Sequence, residues 1–308
     1  MLRPRALRSG DRIAVVAPAS PLARDEFDAG IAEIRRLGFE PVYDESVFAR
    51  AAPGYLSGSP ETRAGAIRKA LADPAIAGII GIRGGYGSVQ VLPLLPPSEF
   101  RDARKPFIGY SDLTAILTLL TLQAGLVAFH GPTVDRLARG SAGYDRTTLE
   151  AALCSRQPIG ELAPNGVEAI RPGVARGVLL GGTATQLLAT LATPYAFDPP
   201  AGYVLVFEEV GERPYRLDRM VTQLRQSGLL ARASGIVIGD LPGCDEPAGA
   251  PTARAVMEHV FADFPGPVLF GFPIGHTKSP ALTLPLGVHC RVVADGIPRL
   301  IIEEPAVD

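Results

Sequence analysis

No Gly-Lys pair occurs anywhere in these 308 residues, so the phosphate-cradling loop GxxxxGK[ST] cannot be built. The dinucleotide fingerprint GxGxxG fails as well: Gly85 and Gly87 have the first spacing, but position 90 is glutamine. HExxH is missing, and the four histidines (His130, His259, His276, His289) include no pair at helical ligand spacing. Neither a metal nor a cofactor is therefore expected. The three cysteines, Cys154, Cys244 and Cys290, are odd in number and widely spaced, with no CxxC. They fit neither a disulfide framework nor a zinc site, and a reducing cytoplasm is the simplest compartment. There is no basic run, and the net charge is −2 with pI near 6.1, which argues against nucleic acid or an anionic membrane as partner. The longest apolar stretches, such as Ile13–Ala19, fall far short of the roughly 20 residues a membrane span needs. Arg3, Arg5 and Arg8 precede a short apolar run that meets Pro18, the pattern of a first strand and not of a secretory signal.

What is present suits a compact α/β protein. Apolar residues make up 47%, and 34 Gly with 29 Pro supply many tight turns. The length allows two domains, each with its own core. Strand signals at Arg12–Ala17, Ala77–Ile82, Phe107–Tyr110 and Leu126–His130 alternate with helices at Asp25–Leu37, Thr62–Ala72 and Asp112–Ala124. Phe27, Ile31, Ile34 and Leu37 form one stripe of the first helix, which Gly38 closes. Ser59-Pro60-Glu61 reads as N-cap, first-turn proline and acidic first turn of the second. Short β-α connections of this kind predict a mostly parallel sheet covered on both faces. The Pro- and Gly-rich stretch 156–176 reads as a linker between a domain at 1–155 and one at 177–308. The second domain carries strands at Tyr203–Phe207, Gly235–Ile238, Val268–Phe270, Val288–Val293 and Leu300–Ile302, with helices at Thr183–Ala192, Tyr215–Gln226 and Ala253–Phe261.

Chemistry concentrates at strand ends. Lys105-Pro-Phe-Ile-Gly-Tyr110-Ser111-Asp112 runs an apolar strand into a serine at the mouth of a helix, where a hydroxyl can act as nucleophile beside an anion site. A plain helix N-cap is the other use of serine in that position. Arg83-Gly-Gly-Tyr-Gly87 follows a strand, and its glycines free backbone N–H groups to face a ligand or an oxyanion; a simple sharp turn would look the same. For the base, His276 in a Gly/Pro-rich loop after a strand is favoured over His130, which ends a strand before Gly131-Pro132. His259 within a helix and His289 within a strand read as structural, His259 as partly buried. Three carboxylates, Glu208, Glu209 and Glu212, cluster at the end of an apolar strand, and alternation sends Glu208 and Glu209 to opposite faces. Asp112 is expected to serve its own helix N-terminus electrostatically.

In joint order and spacing these segments resemble the LD-carboxypeptidases. These are serine peptidases that include the murein tetrapeptide carboxypeptidases and the microcin C self-immunity proteins. The resemblance runs from Gly10-Asp-Arg-Ile-Ala-Val-Val-Ala-Pro18 through Arg83–Gly87, Gly109–Asp112, Phe129-His-Gly-Pro132 and Leu180-Gly-Gly-Thr183. It continues in Phe207–Glu212, Tyr215–Arg219 and Gly271–His276. It implies a Rossmann-like or flavodoxin-like N-terminal domain, a smaller C-terminal α/β domain and an active site at their interface. It also implies a triad of Ser111, Glu208 and His276, although the family usually has Glu-Asp where this chain has Glu208-Glu209. The oxyanion would fall to the backbone of Asp112 and of Gly84 or Gly85, and a terminal carboxylate to Arg83, with Tyr86 beside it. The substrate implied is a small peptide, a cytoplasmic murein tetrapeptide cleaved before its terminal D-alanine by a homodimer. A peptidyl-nucleotide antibiotic is the alternative, weakened by the lack of tryptophan for a nucleobase platform. Non-catalytic binding of a small molecule in the interdomain cleft is a third reading.

Overall fold

A strand covered by helices on both faces can be apolar throughout, and β1 (Arg12–Val16) is buried from Ile13 onward. The computed structural model describes residues 1–308. In it β1 lies between β2 (Glu40–Val42) and β3 (Ile76–Gly81), parallel to both. β4 (Phe107–Gly109) and β5 (Ala128–His130) extend the parallel array. Helix Arg24–Arg36 buries Phe27, Ile31 and Ile34, with Asp25 and Glu26 in its first turn and Arg35 and Arg36 in its last, the polarity its dipole favours. Helix Pro60–Ala72 starts as its sequence dictates: the Ser59 hydroxyl accepts from the Thr62 N–H at 3.2 Å, and Pro60 takes the first helical position.

The second sheet contains β6 (Gly160–Leu162), β7 (Glu168–Arg171), β8 (Val174–Thr183), β9 (Tyr203–Glu208), β10 (Ala233–Gly239) and β11 (Val268–Phe272). After β12 (Leu284–Leu286), β13 (His289–Val293) and β14 (Arg299–Ile302) complete it, in the order β6-β14-β13-β8-β9-β10-β11-β7. The pairs β8–β9, β9–β10 and β10–β11 are parallel and the outer pairs antiparallel. The chain thus has a two-domain α/β architecture. β12 crosses back to the first sheet, antiparallel to β5, giving the order β12-β5-β4-β3-β1-β2.

Three expectations need correction. Residues 156–176 are not simply a connector: they carry β6 and β7, the two outermost strands of the second sheet, and the first residues of β8. The helix expected over Asp112–Ala124 is a 3-10 turn at Ser111–Leu113, an α-helical turn at Thr114–Thr118 and a wider π turn at Leu119–Ala124. Within it the Thr121 hydroxyl donates to the Leu117 carbonyl at 2.9 Å, competing with the regular backbone ladder. The helix expected at Thr183–Ala192 is shorter, Ala184–Ala189.

The way the sheets pack decides where their ends meet. One face of the second sheet (Leu179, Val204, Val206, Val237, Leu269) belongs to the same apolar core as the first sheet. Its opposite face (Leu180, Leu205, Phe207, Ile236, Ile238) packs under Leu217 and Leu224 of helix Pro214–Gln226 and Met257 of helix Ala253–Val260. No helix is long and apolar enough to cross a membrane.

Candidate active site where the two domains meet

Ser111 sits just past β4 with φ of 60°, a left-handed conformation that an L-residue with a side chain adopts at a cost. The N-cap position belongs to Tyr110, and no side-chain cap bond forms there, so the N-cap role does not fall to Ser111. Ser111 itself is half-buried. Gly84 lies against it: a Cβ at Gly84 would fall 2.5 Å from Ser111 Cβ, 2.6 Å from its Oγ and 3.2 Å from the Asp112 nitrogen. Only glycine lets the backbone come this close. Gly85, at φ 101°, has no room for a side chain either, because Ser20 Oγ would lie 2.3 Å away.

The glycine loop is tied down from several sides. Ser20 Oγ accepts from the Tyr86 N–H at 3.1 Å, and Arg63, buried beneath, donates to Pro18 O and Gly87 O at 2.7 Å each. The Asp112 carboxylate accepts from the Ser88 N–H at 2.7 Å and the Ser88 hydroxyl at 2.6 Å, so it binds the loop's exit and not its own helix. Burial holds its pKa above the ordinary value despite those bonds.

The second domain brings a carboxylate and an imidazole. Glu208, the last residue of β9, is buried, and its Oε2 accepts from His276 Nδ1 at 2.7 Å and from the His276 N–H at 2.9 Å. Its Oε1 accepts from the Thr183 hydroxyl. Gly275, at φ 54°, makes this possible, since a Cβ there would fall 2.5 Å from the Glu208 carboxyl carbon. Burial pushes the Glu208 pKa up, but the His276 hydrogen bond and charge outweigh it and hold the group below its ordinary value. For His276 burial works against protonation, yet the Glu208 bond and charge prevail and the imidazole stays above its usual range. Glu209 faces the other way: it accepts from the Thr185 N–H at 2.8 Å and hydroxyl at 2.5 Å, and burial raises its pKa.

Contacts close to Ser111 help join the halves. The Thr183 N–H donates to Thr114 Oγ1 at 3.0 Å, three residues beyond Ser111. The Tyr110 ring packs edge-on against His276, with centroids 4.9 Å apart, and against His130 at 6.1 Å. The geometry therefore brings the Ser111 turn, the Gly84–Gly85 loop and the Glu208–His276 pair to one place. A hydroxyl, an imidazole and a carboxylate bonded to that imidazole form an arrangement suited to acyl transfer.

The other histidines lie apart from it. His130 is fully buried, neither ring nitrogen has a partner, and burial lowers its pKa to about 4, so it is a neutral packing residue. His259 is exposed on its helix, not partly buried as expected, and His289 is exposed with its Nδ1 3.1 Å from Glu304. Arg83 is half-buried, its Nε has no partner, and Nη1 lies 3.5 Å from Pro21 O. Tyr86 is exposed and packs edge-on against Tyr55 at 5.9 Å.

The match to known proteins follows the two-domain division. Residues 13–131 match the LD-carboxypeptidase N-terminal domain, and residues 176–292 match the LD-carboxypeptidase C-terminal domain. The chain belongs to the LD-carboxypeptidase family. It is a serine-type carboxypeptidase, a hydrolase of peptide bonds. A putative carboxypeptidase of Streptomyces coelicolor is 34% identical over 313 residues, covering 100% of this chain and 98% of the relative. The murein tetrapeptide carboxypeptidase of Pseudomonas aeruginosa is 31% identical, covering 86% of this chain and 88% of its own. The fold is also that of the microcin C7 self-immunity protein MccF, solved with glutamyl sulfamoyl guanosine, at a TM-score of 0.89 and 23% identity over 100% of both chains.

In this LD-carboxypeptidase, Gly84→Ala is expected to lower kcat on the order of 100-fold, the scale of a misplacement of about 1 Å, because the added methyl forces the Ser111 turn aside. The melting temperature should fall as well, since a methyl 2.5 Å from Ser111 Cβ fits only if the turn moves. Steady-state kinetics with circular dichroism checks this. In Leu180-Gly-Gly-Thr183 the sequence alone points to no role for Thr183. Its hydroxyl on Glu208 and its N–H on Thr114 make it the bridge of the site.

Proposed function

We propose that this LD-carboxypeptidase hydrolyses the L,D-amide bond to the terminal D-alanine of murein tetrapeptides, as a cytoplasmic homodimer in peptidoglycan recycling. The Glu208–His276 pair beside the Ser111 turn is the observation that carries the reading. Ser111 Oγ attacks the amide carbonyl and its proton passes to His276 Nε2, while Glu208 holds the Nδ1–H and stabilises the imidazolium. The tetrahedral oxyanion is bound by the N–H of Asp112 and an N–H of Gly84 or Gly85, each such donor being worth about 3 kcal/mol. His276 then protonates the departing D-alanine, and water, activated by the same imidazole, releases the acyl group. Arg83, whose buried Nε lacks a protein partner, binds the terminal carboxylate, and Tyr86 forms the rim beside it.

The name of the Pseudomonas aeruginosa relative supports the choice of substrate. The test is turnover of three substrates side by side: a murein tetrapeptide ending in D-alanine, the same peptide ending in L-alanine, and a peptidyl-nucleotide analogue. Release of alanine from the first alone is expected. Turnover of the peptidyl nucleotide with the tetrapeptide untouched would overturn the reading, and sedimentation as a monomer at micromolar concentration would remove the dimer from it.

A further inference from the structure

The proposed base and nucleophile sit on different domains, so something must set the distance between them. Glu208 fixes His276 from the His276 side, through its own β9, but β9 belongs to the second sheet. Beyond His276 the Thr277 hydroxyl donates to Asp240, just past β10, but the carbonyls of the same loop are held by the first domain. Arg136, on the short helix Val134–Leu137 that follows His130-Gly-Pro132, is 5% exposed. Its Nη2 donates to Thr277 O at 2.6 Å and to Ser279 O at 3.0 Å, the carbonyls one and three residues beyond His276. Its Nε donates to Gly143 O at 2.6 Å, inside its own domain. A planar guanidinium can reach three carbonyls of two separate segments at once, which an ammonium on a flexible stem cannot do with fixed geometry.

The rigid path to the nucleophile is short. β5 ends at His130, which pairs in register with Gly109 of β4, two residues before Ser111. Downstream of Ser279 the same segment stays attached to the first domain: the Asp145 N–H donates to Ala281 O at 2.9 Å, and β12 pairs with β5. We propose that Arg136 is a positioning residue: it sets the histidine loop against the serine-bearing sheet, and so fixes His276 relative to Ser111. It touches neither substrate nor reacting atoms, and a misplacement of about 1 Å in such a pair costs on the order of 100-fold in rate.

The inference rests on the serine mechanism proposed above, so its test reads the serine directly. Wild type, Arg136→Lys and Arg136→Ala are titrated with a fluorophosphonate that labels an activated serine, with Ser111→Ala as blank, alongside D-alanine release and thermal unfolding. Both Arg136 variants should fold, label Ser111 about 10- to 100-fold more slowly, and lose kcat by the same factor with KM within twofold. Guanidinium ion in solution should restore labelling of Arg136→Ala but not of Arg136→Lys, whose side chain still occupies the arginine's place. Labelling within twofold of wild type, slow labelling with no guanidinium rescue, or failure of both variants to fold would each overturn the assignment. Wild type that does not label at all would sink the serine mechanism itself, an outcome separable from the others.

Discussion

Ser111→Ala is expected to abolish hydrolysis, by roughly a million-fold if the serine acts in a unit of the usual kind, while leaving thermal stability unchanged. The second half of that statement separates the two roles a serine can fill at a helix mouth. A capping serine loses about 1 kcal/mol when cut to alanine, because a helix N–H loses its acceptor. Ser111 is not at the cap position, and no side-chain cap bond forms at its turn. Alanine should therefore cost nothing in stability. Glycine should do better still: at φ 60° any Cβ is strained, and Ser111→Gly relieves roughly 1 kcal/mol or more of that strain. The expected order of melting temperature is Gly above Ala, with Ala equal to wild type, and both variants inactive. An inactive glycine variant that melts higher than wild type would mean that the native chain holds a strained turn in order to present a hydroxyl. If Ser111→Ala kept its turnover, the serine mechanism would fail, and if it lost stability with activity intact, Ser111 would be a structural residue.

Much of this site could be read in the sequence because chemistry in parallel α/β sheets gathers at strand ends. Gly84-Gly85, Ser111, Glu208 and His276 each follow an apolar run, and the fold gathers them at one place. Alternation along β9 also required Glu208 and Glu209 to part company, and they do. What alternation could not give is which of the two faces the histidine. That depends on Gly275 and Gly239 leaving room for the Glu208 side chain, a contact between segments far apart in the chain. The edge strands β6 and β7 were hidden for a related reason. Gly160-Glu-Leu162 and Glu168-Ala-Ile-Arg171 are short, partly exposed and flanked by proline and glycine, so locally they look like linker. They become strands only because the edges of the second sheet offer partners. β12 is harder still: Leu284-Pro-Leu286 has no strand signature beyond two leucines, and its place against β5 is set by the packing of the two domains. Arg136 lies in the unremarked run Val134-Asp-Arg-Leu137, where an arginine reads as surface. Its burial follows from carbonyls that come from 141 and 143 residues away.

Glu208→Gln carries the second large effect, and it is read in the pH profile as much as in the rate. The imidazole must be neutral to accept the serine proton, so activity rises with pH through the His276 pKa. In the native chain that pKa lies above its ordinary value of about 6.5: burial opposes protonation, but the bond and charge of Glu208 outweigh it. Glutamine removes the charge and leaves the burial. The acid limb of kcat/KM must then move to lower pH, past the ordinary imidazole value, whereas simple damage to the fold would only let it fall back toward that value. The rate itself should fall by about 10,000-fold, because an amide can present its NH₂ to Nδ1 and hold the ring in the wrong tautomer. Glu209→Gln is the internal control. Its carboxylate is engaged with Thr185, so the same chemical change one residue away should leave the rate within a few-fold and move the limb far less. A limb that shifts with Glu209 and stays fixed with Glu208 would exchange the two roles. A limb that stays fixed in both variants would mean that neither carboxylate is coupled to the base, in spite of the 2.7 Å bond that joins Glu208 to His276.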